Sequence, residues 1–301
     1  MSFAISARRC GRPLTRRRRQ YSSLASPVTI SSIAAPHTGD ITVVSLNRPK
    51  ARNAISRQLL AELKGVVDQV HSEGATGSTR ALILTSESDD AFCAGADLKE
   101  RLTFTEEEYV PTRQFLSTLR NTFSRLSTLP IPTISAISST AFGGGLELAL
   151  CTNFRVMAST AMVGLPETRL AIVPGAGGTY RLPALIGASR ARDMILTGRR
   201  ISGEEAYFIG LADRIVQITE DEIKGGAGVA RGKVFEQAVA MAKTICEGGP
   251  VAIRAAMQAV NGWEKGEVSE NAAYDLVLPT RDRTEALKAF GEKRKPEFKG
   301  R

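Results

Sequence analysis

The chain has 301 residues, of which 43% are hydrophobic and 24% charged, a composition that can close a sizeable core and excludes a disordered or fibrous protein. The nearest candidate for a membrane span, residues 131–151, contains three glycines, several serines and Glu147, which excludes a span. Only two histidines occur, His37 and His71, and neither has metal-ligand spacing. We therefore expect acid–base chemistry to come from carboxylates.

The formal net charge of +9 is concentrated at the N-terminus. Residues 1–21 contain seven arginines and no acid, which leaves +2 for the rest of the chain. An Arg-rich, Ser-containing, acid-free segment is typical of a mitochondrial transit peptide. We therefore expect a transit peptide over 1–21, a mature start near Ser22, a linker over 22–37 and a location in the mitochondrial matrix. The alternative is a basic arm that binds RNA or lipid.

Strand and helix patterns alternate from residue 38 onward. Residues 39–46 alternate as a short strand, and 56–70 place apolar side chains at helical spacing behind Ser56, a predicted N-cap. Three further strand-like runs and four helical patterns follow: strands at 81–84, 132–137 and 154–158, and helices at 109–128, 145–152, 178–197 and 203–210. This alternation predicts an α/β fold with largely buried sheets.

Strand patterns end after Ile218. Glycines at 225, 226 and 228 mark a break, and the remainder predicts four helices: 234–247, 250–262, 267–277 and 281–293. We therefore divide the mature chain into an α/β core, 38–230, and a helical C-terminal region, 231–301. The second part is expected to pack on the core or on a neighbouring subunit.

Three consecutive glycines, residues 143–145, stand between an apolar strand and an apolar helix. Because they lack a Cβ, an anion or a developing oxyanion can approach the free backbone N–H groups there closely. Glu147 falls in the first turn of the helix, where the helix dipole favours its ionised form. The alternative is tight helix–strand packing with an ordinary N-terminal acid.

Two further stretches could carry chemistry. Small residues at 93–96 leave backbone amides open to a ligand, with Lys99 nearby as a cation for phosphate, although such turns also precede ordinary helices. Glu167 follows Pro166 and precedes a glycine run at 175–178. Together with Glu147 it forms a pair of carboxylates that could move a proton and position a water. An ordinary first-turn acid is the alternative for Glu167.

Five ordered motifs resemble the enoyl-CoA hydratase (crotonase) superfamily: 47–54 (NRPKARNA), 94–99 (AGADLK), 143–147 (GGGLE), 166–167 with 174–179 (PE and PGAGGT), and 289–296 (AFGEKRKP). The resemblance covers about 38–301. Within the superfamily, residues 145–150, 164–167 and 181–183 are most similar to the mitochondrial methylglutaconyl-CoA hydratases.

The resemblance implies a spiral of ββα units with a helical C-terminal region that builds trimers or dimers of trimers, and catalysis without a cofactor or metal. The N–H groups of Ala96 and Gly144 would hold the thioester carbonyl. Glu147 would activate the water that attacks C3, Glu167 would supply the proton at C2, and the amide of Gly175 resembles the family's water-holding group. Family isomerases usually retain only the acid matching Glu167, so both acids together favour hydration.

The resemblance also implies a site for coenzyme A, which is part of the substrate. Four of the implied residues belong to two loops and supply backbone groups and cations, and two belong to the C-terminal helix. They are Lys50, Ala51, Ala94, Lys99, Phe290 and Lys293. The C-terminal pair would reach the nucleotide from the same subunit or another one. Exposed lysines and a core phenylalanine are the ordinary alternatives.

The expected reaction is hydration of 3-methylglutaconyl-CoA to 3-hydroxy-3-methylglutaryl-CoA in leucine degradation, with short-chain hydration in fatty-acid β-oxidation as the alternative. A free carboxylate in the acyl group needs a cation, and Arg101 and Arg113 are candidates by position, unless both are solvated surface residues. Leu165, in place of the glutamine common in short-chain hydratases, weakens the alternative. Two features depart from the family: Asn153 in place of an aspartate, and 220–232, which resembles an insertion.

An RNA-binding relative is the alternative of another class. The helix predicted at 56–70 carries Arg57 and Lys64 against Glu62 and Asp68, which gives no net charge. Phosphate contacts need clustered cations. We therefore expect an acyl-CoA substrate and a homo-oligomer, and no RNA or membrane partner.

Overall fold

The structure is a computed structural model that describes residues 26–74, 77–101, 109–224 and 228–301. The predicted transit peptide, 1–21, and the side chain of Arg101 lie outside the described residues. Buried apolar side chains of the strands and of the helices packed on them form one continuous core.

The described residues contain ten strands: β1 (Val28–Ala34), β2 (Asp40–Leu46), β3 (Thr79–Ser86), β4 (Ala91–Cys93), β5 (Thr133–Ile137), β6 (Thr140–Phe142), β7 (Phe154–Ala158), β8 (Met162–Gly164), β9 (Arg200–Ser202) and β10 (Arg214–Val216). Six form a larger sheet in the order β1-β2-β3-β5-β7-β10, and four form a smaller one in the order β4-β6-β8-β9. The β1–β2 and β8–β9 pairs are antiparallel, and the other pairs are parallel.

Twelve α-helices occur in the same described ranges: α1 (Arg57–Glu73), α2 (Leu98–Arg101), α3 (Tyr109–Ser127), α4 (Gly144–Ala149), α5 (Gly178–Ile186), α6 (Ala188–Thr197), α7 (Gly203–Phe208), α8 (Glu220–Lys224), α9 (Val229–Cys246), α10 (Pro250–Asn261), α11 (Glu267–Val277) and α12 (Arg281–Gly291). The predicted cap of α1 is confirmed, because Ser56 Oγ accepts a hydrogen bond from the Leu59 amide at 3.1 Å. The single helix predicted at 178–197 is two helices that meet at Gly187.

Successive strands alternate between the two sheets. β3, β5 and β7 enter the larger sheet, whereas β4, β6 and β8, which follow them along the chain, enter the smaller one. Helices follow each pair of strands: α2 and α3 after β4, α4 after β6, and α5 and α6 after β8. The predicted α/β spiral of ββα units is therefore confirmed.

The linker predicted at 22–37 is wrong over β1. Val28–Ala34 pairs with β2 along its whole length, from Val28 opposite Leu46 to Ala34 opposite Asp40. This strand lies at the edge of the larger sheet and keeps several of its side chains exposed, so its sequence lacks the continuous apolar run of the buried parallel strands.

Of the two packings expected for the C-terminal region, on the core or on a neighbouring subunit, its first helix, α9, adopts the first. This helix packs on β3, β5 and β7 of the larger sheet. Its buried side chains recur every four residues at Val234, Ala238, Ala242 and Cys246. A stripe of small side chains lets the helix lie close to the sheet. The separate helical region therefore begins with α10.

The C-terminal helices expose large apolar side chains to solvent, among them Val260, Trp263, Val268, Tyr274, Leu276, Leu287 and Phe290. Exposed apolar surface of this extent is typical of a contact between protein copies. The predicted homo-oligomer stays a prediction, and this surface is its candidate interface. Within the part of the chain that the structure describes, no helix combines the length and apolar character needed to cross a membrane.

Candidate active site

The glycine motif forms the turn from β6 into α4. Gly143 has φ +53°, which favours glycine, and its amide donates to the Gly164 carbonyl at 2.9 Å. A Cβ built on Gly145 would overlap the carbonyl of Cys93 in β4. Glycine at 145 therefore lets α4 pack directly against β4, and the packing interpretation of the motif holds for this residue.

The two amides predicted to hold the thioester carbonyl lie side by side. A Cβ built on Gly144 would stand 3.6 Å from the Ala96 nitrogen, and one built on Gly95 would stand 3.3 Å from the Gly144 nitrogen. Ile55 forms a parallel β-bridge with Ala96: the Ile55 amide donates to the Gly95 carbonyl at 2.8 Å, and the Ile55 carbonyl accepts from the Asp97 amide at 3.2 Å. Outside regular helices and strands, neither amide donates to a described backbone group. Both N–H groups can therefore receive one ligand oxygen.

Glu147, in the first turn of α4, is only 2% exposed. Its Oε1 accepts hydrogen bonds from the amides of Ala176, at 2.7 Å, and Gly178, at 2.9 Å. Burial raises the pKa of Glu147, and the two amides oppose that rise. No hydrogen bond within the described residues reaches Oε2, which leaves that oxygen to bind a water.

Two arginines support the loop that holds Glu147. Arg120 of α3 donates from Nε to the Gly175 carbonyl at 2.6 Å. Arg181 of α5 donates from Nη1 to the Ala176 carbonyl at 3.0 Å. The Gly175 carbonyl and the Ala176 N–H belong to one peptide group, so Arg120 polarises the group that donates to Glu147. Both positive charges also act to lower the pKa of Glu147.

Glu167 begins a 3-10 helix, Glu167–Leu170, directly after Pro166. It is 8% exposed, and its Oε2 is buried with no hydrogen-bond partner among the described residues. Burial, with a smaller contribution from the nearby charge of Glu147, raises the pKa of Glu167 to about 7. A Cβ on Gly143 would lie 2.9 Å from its Oε1. The structure thus brings Glu147, Glu167 and the two amides together at the N-terminus of α4.

Gly175 lies beside this group, but its visible contact differs from the predicted one. Its carbonyl is bound by Arg120, while the amides that hold Glu147 are those of Ala176 and Gly178. The water-holding role of the Gly175 amide stays a prediction. Sequence reasoning missed Arg120, because its partner lies 55 residues further along the chain and no local pattern marks it.

The loops proposed for coenzyme A are joined by the backbone. The Ala94 amide donates to the Arg52 carbonyl at 3.0 Å, which places Ala94 next to the short 3-10 helix Pro49–Ala51. Buried Asn53 links the same loops, because its side-chain amide donates to the carbonyls of Ala91 and Phe92. The lysines at 50 and 99 are exposed at these loops, where a phosphate could reach them.

Among the described residues, the side chains of the other two predicted coenzyme A groups make no hydrogen bond or ion pair with these loops. Phe290, in α12, is 86% exposed, and Lys293 is also exposed. In the described residues, α12 is hydrogen-bonded to the C-terminal segment. The Lys299 and Gly300 amides, for example, donate to the side chain of Asp282 in α12. Their role remains a prediction that a second subunit would have to complete.

Asn153 and Leu165, the residues that depart from relatives, both have structural contacts. Asn153 Oδ1 accepts hydrogen bonds from the Thr133 amide and hydroxyl, each at 2.8 Å. Leu165 is buried beside Gly178. Asn153 therefore makes neutral hydrogen bonds at the position where the resemblance implies an aspartate. The described residues contain no group of three or more His, Cys, Asp or Glu side chains placed to hold a metal ion.

Known proteins match both the sequence and this fold. The family Enoyl-CoA hydratase/isomerase matches residues 37–301. The chain is 77% identical over 279 residues to an enoyl-CoA isomerase/hydratase of Zymoseptoria tritici, covering 93% of this chain and 90% of that protein. It is 52% identical over 311 residues to mitochondrial methylglutaconyl-CoA hydratase 1 of Pyricularia oryzae, covering 91% and 87%. The crystal structure of an enoyl-CoA hydratase from Bacillus anthracis has a TM-score of 0.80 and 41% identity, covering 91% of this chain and 100% of that one.

The spiral fold defines a crotonase-type enzyme. The chain belongs to the enoyl-CoA hydratase/isomerase family. The resemblance seen in the motifs and the expectation of a hydratase-type enzyme are therefore confirmed.

Proposed function

We propose that the protein adds water across the C2–C3 double bond of an enoyl-CoA thioester, with Glu147 and Glu167 as the acid–base pair. The observation that carries the proposal is the convergence of these two buried carboxylates on the Gly143–Gly144 turn, beside the amides of Ala96 and Gly144. A buried carboxyl oxygen without a hydrogen-bond partner, such as Glu167 Oε2, costs stability, and such a cost is typical of a functional site.

The amides of Ala96 and Gly144 would bind the thioester oxygen. Attack of water on C3 moves negative charge onto that oxygen, so fixed donors aimed at it lower the barrier. Loss of one donor of this kind typically costs about 3 kcal/mol. The helix dipole of α4, although the helix is short, has the favourable sign at Gly144.

The two carboxyl groups would divide the proton transfers. Ionised Glu147 takes a proton from the water while the oxygen of the water bonds to C3. Protonated Glu167 gives its proton to C2. Because the pKa of Glu167 is about 7, a large fraction of the molecules carries this proton at neutral pH. Proton exchange with solvent then returns Glu147 to its ionised form and Glu167 to its protonated form, and no cofactor is required.

The coenzyme A part of the substrate would lie along the joined loops that contain Ala51 and Ala94, with Lys50 and Lys99 at its phosphates. Phe290 and Lys293 would complete the nucleotide site from a second copy of the chain. The exposed apolar surface of the C-terminal helices supports such an assembly.

We further propose 3-methylglutaconyl-CoA as the substrate and the mitochondrial matrix as the location. The relative of Pyricularia oryzae named for that substrate is 52% identical, and its name includes the mitochondrion. The seven arginines of residues 1–21 support import. Short-chain hydration of crotonyl-CoA is the alternative substrate choice.

The test measures the activity of the purified full chain on three thioesters. They are 3-methylglutaconyl-CoA, crotonyl-CoA and a 3-enoyl-CoA that reports double-bond isomerisation. We expect hydration, with the highest kcat/KM on 3-methylglutaconyl-CoA. Preference for crotonyl-CoA would favour the short-chain alternative. Isomerisation without hydration would contradict the proposed reaction.

A further inference from the structure

Arg120 is one of two arginines at the site, with Arg181, that the proposed reaction does not use. Its side chain leaves α3 and reaches the loop that holds Glu147, where Nε donates to the Gly175 carbonyl. A Cβ built on Gly175 would lie 4.0 Å from Arg120 Nη2 and 3.7 Å from Leu116 Cδ2. One nitrogen of the guanidinium is therefore anchored, and the apolar Leu116 lies next to it.

The terminal nitrogens of Arg120 have no partner in the described part of the chain. Arg125, on the same helix, forms an ion pair with Asp68, whereas no ion pair of the described residues includes Arg120. Arg181, the other arginine whose charge lowers the pKa of Glu147, uses Nη1 on Ala176 and Nη2 on Ser127. Both terminal nitrogens of Arg181 are therefore engaged, whereas neither terminal nitrogen of Arg120 donates to a described residue.

The proposed function sets the direction in which the acyl group runs. If the amides at Ala96 and Gly144 hold C1 and Glu147 activates the water at C3, the atoms beyond C3 continue along the loop that binds Glu147. Arg120 is bonded to that loop at Gly175. A carboxylate on the acyl group would therefore lie near Arg120, whose positive charge already lowers the pKa of Glu147.

We propose that Arg120 binds the free carboxylate of the acyl group and so selects an enoyl-CoA with a dicarboxylic acyl chain. This inference rests on the proposed function. With Nε held by Gly175, Nη1 and Nη2 present a planar pair of donors, which matches the two oxygens of a carboxylate. Burying that carboxylate in the acyl pocket without such a partner would be costly.

The position of Arg120 differs from those of the two arginines that the sequence suggested. The side chain of Arg101 lies outside the described residues. Arg113 is exposed on α3, as Arg120 is, but it is already engaged in an interaction and precedes Arg120 by two helical turns, about 10 Å. Arg113 is therefore the matched comparison for Arg120.

The experiment measures kcat/KM of the full chain for 3-methylglutaconyl-CoA, its methyl ester on the acyl carboxylate, and crotonyl-CoA. We expect Arg120→Met to lower kcat/KM for the free acid at least tenfold more than for either uncharged substrate, because only the acid uses the charge. Arg120→Lys retains a cation without the fork, so it should recover part of the preference. Circular dichroism confirms that each variant is folded, and Arg120→Gln serves if the methionine variant is not.

Each result decides the inference. Equal loss on all three substrates would mean that Arg120 only supports Gly175 and Glu147, which overturns the anchor. A selective loss in Arg113→Met instead of Arg120→Met also overturns it. Hydration of crotonyl-CoA but not of 3-methylglutaconyl-CoA by the unaltered chain would overturn the anchor while leaving the hydratase intact. Hydration of no thioester would overturn the proposed function itself.

Discussion

Replacing Glu167 by glutamine is expected to abolish hydration and to stabilise the fold at neutral and alkaline pH. The carboxyl is nearly buried, and its Oε2 has no hydrogen-bond partner within the described residues. Ionisation there loses the solvation that water provides. Glutamine keeps the shape of the side chain and removes both the charge and the proton that C2 requires.

The magnitude follows from the pKa of Glu167, which burial raises from 4.5 to about 7. Between these values the folded chain binds more protons than the unfolded chain, so the free energy of unfolding falls as pH rises through this window. A pKa difference of one unit corresponds to about 1.4 kcal/mol, so the cost above about pH 7 is about 3 kcal/mol. Below about pH 4.5 both forms are protonated and the cost disappears.

The assay compares urea unfolding of Glu167→Gln and the unaltered chain, followed by circular dichroism, at about pH 4.5, 6 and 8. Other titrating groups are common to both proteins, so the difference isolates Glu167. We expect the variant to gain up to about 3 kcal/mol at about pH 8 and almost nothing at about pH 4.5. In the unaltered chain, kcat/KM should fall as pH rises above about 7, because the acid loses its proton.

Two results would refute this reasoning. A stability difference that does not change with pH would mean that Glu167 titrates at an ordinary value in the folded chain. Hydration by the folded variant within about tenfold of the unaltered chain would mean that Glu167 is not the acid, since general acid–base catalysis contributes about a hundredfold or more.

Three further expectations test other parts of the site. Glu147→Gln should lose most of the hydration activity while it keeps the fold. A steady-state hydration rate of the variant within about tenfold of the unaltered chain would exclude Glu147 as the base. Gly144→Ala should fold but lose activity, because its Cβ enters the space beside the Ala96 amide, whereas Gly145→Ala should lower the melting temperature by overlapping Cys93. Thermal unfolding and hydration assays on this pair of variants separate the catalytic role of Gly144 from the packing role of Gly145. An unstable Gly144→Ala or a stable Gly145→Ala would contradict these roles. The full chain should bind RNA weakly at low salt and a form starting at Ser22 should not; sequence-selective binding by that form at physiological salt would restore the RNA-binding alternative.

The sequence interpretation is wrong at β1, and it leaves the packing of α9 open, because tertiary contacts decide both elements. β1 is an edge strand whose partly exposed residues resemble a linker until they pair with β2. α9 has the small-residue stripe of a helix that lies on a sheet, but only the packing on β3, β5 and β7 assigns it to the core. The strands on which α9 packs are distant from it in sequence, whereas β2 follows β1 after a short connection.

By itself the sequence determined the elements that have local causes and the residues that could carry chemistry. Periodicity and the Ser56 cap located α1, and the glycines before Glu147 located the turn of the site. The tertiary structure alone decided which groups meet: the Ala176 amide with Glu147, 29 residues apart, and Arg120 with Gly175, 55 residues apart. Such contacts depend on how strands pair and helices cross, and a local pattern contains no information about either.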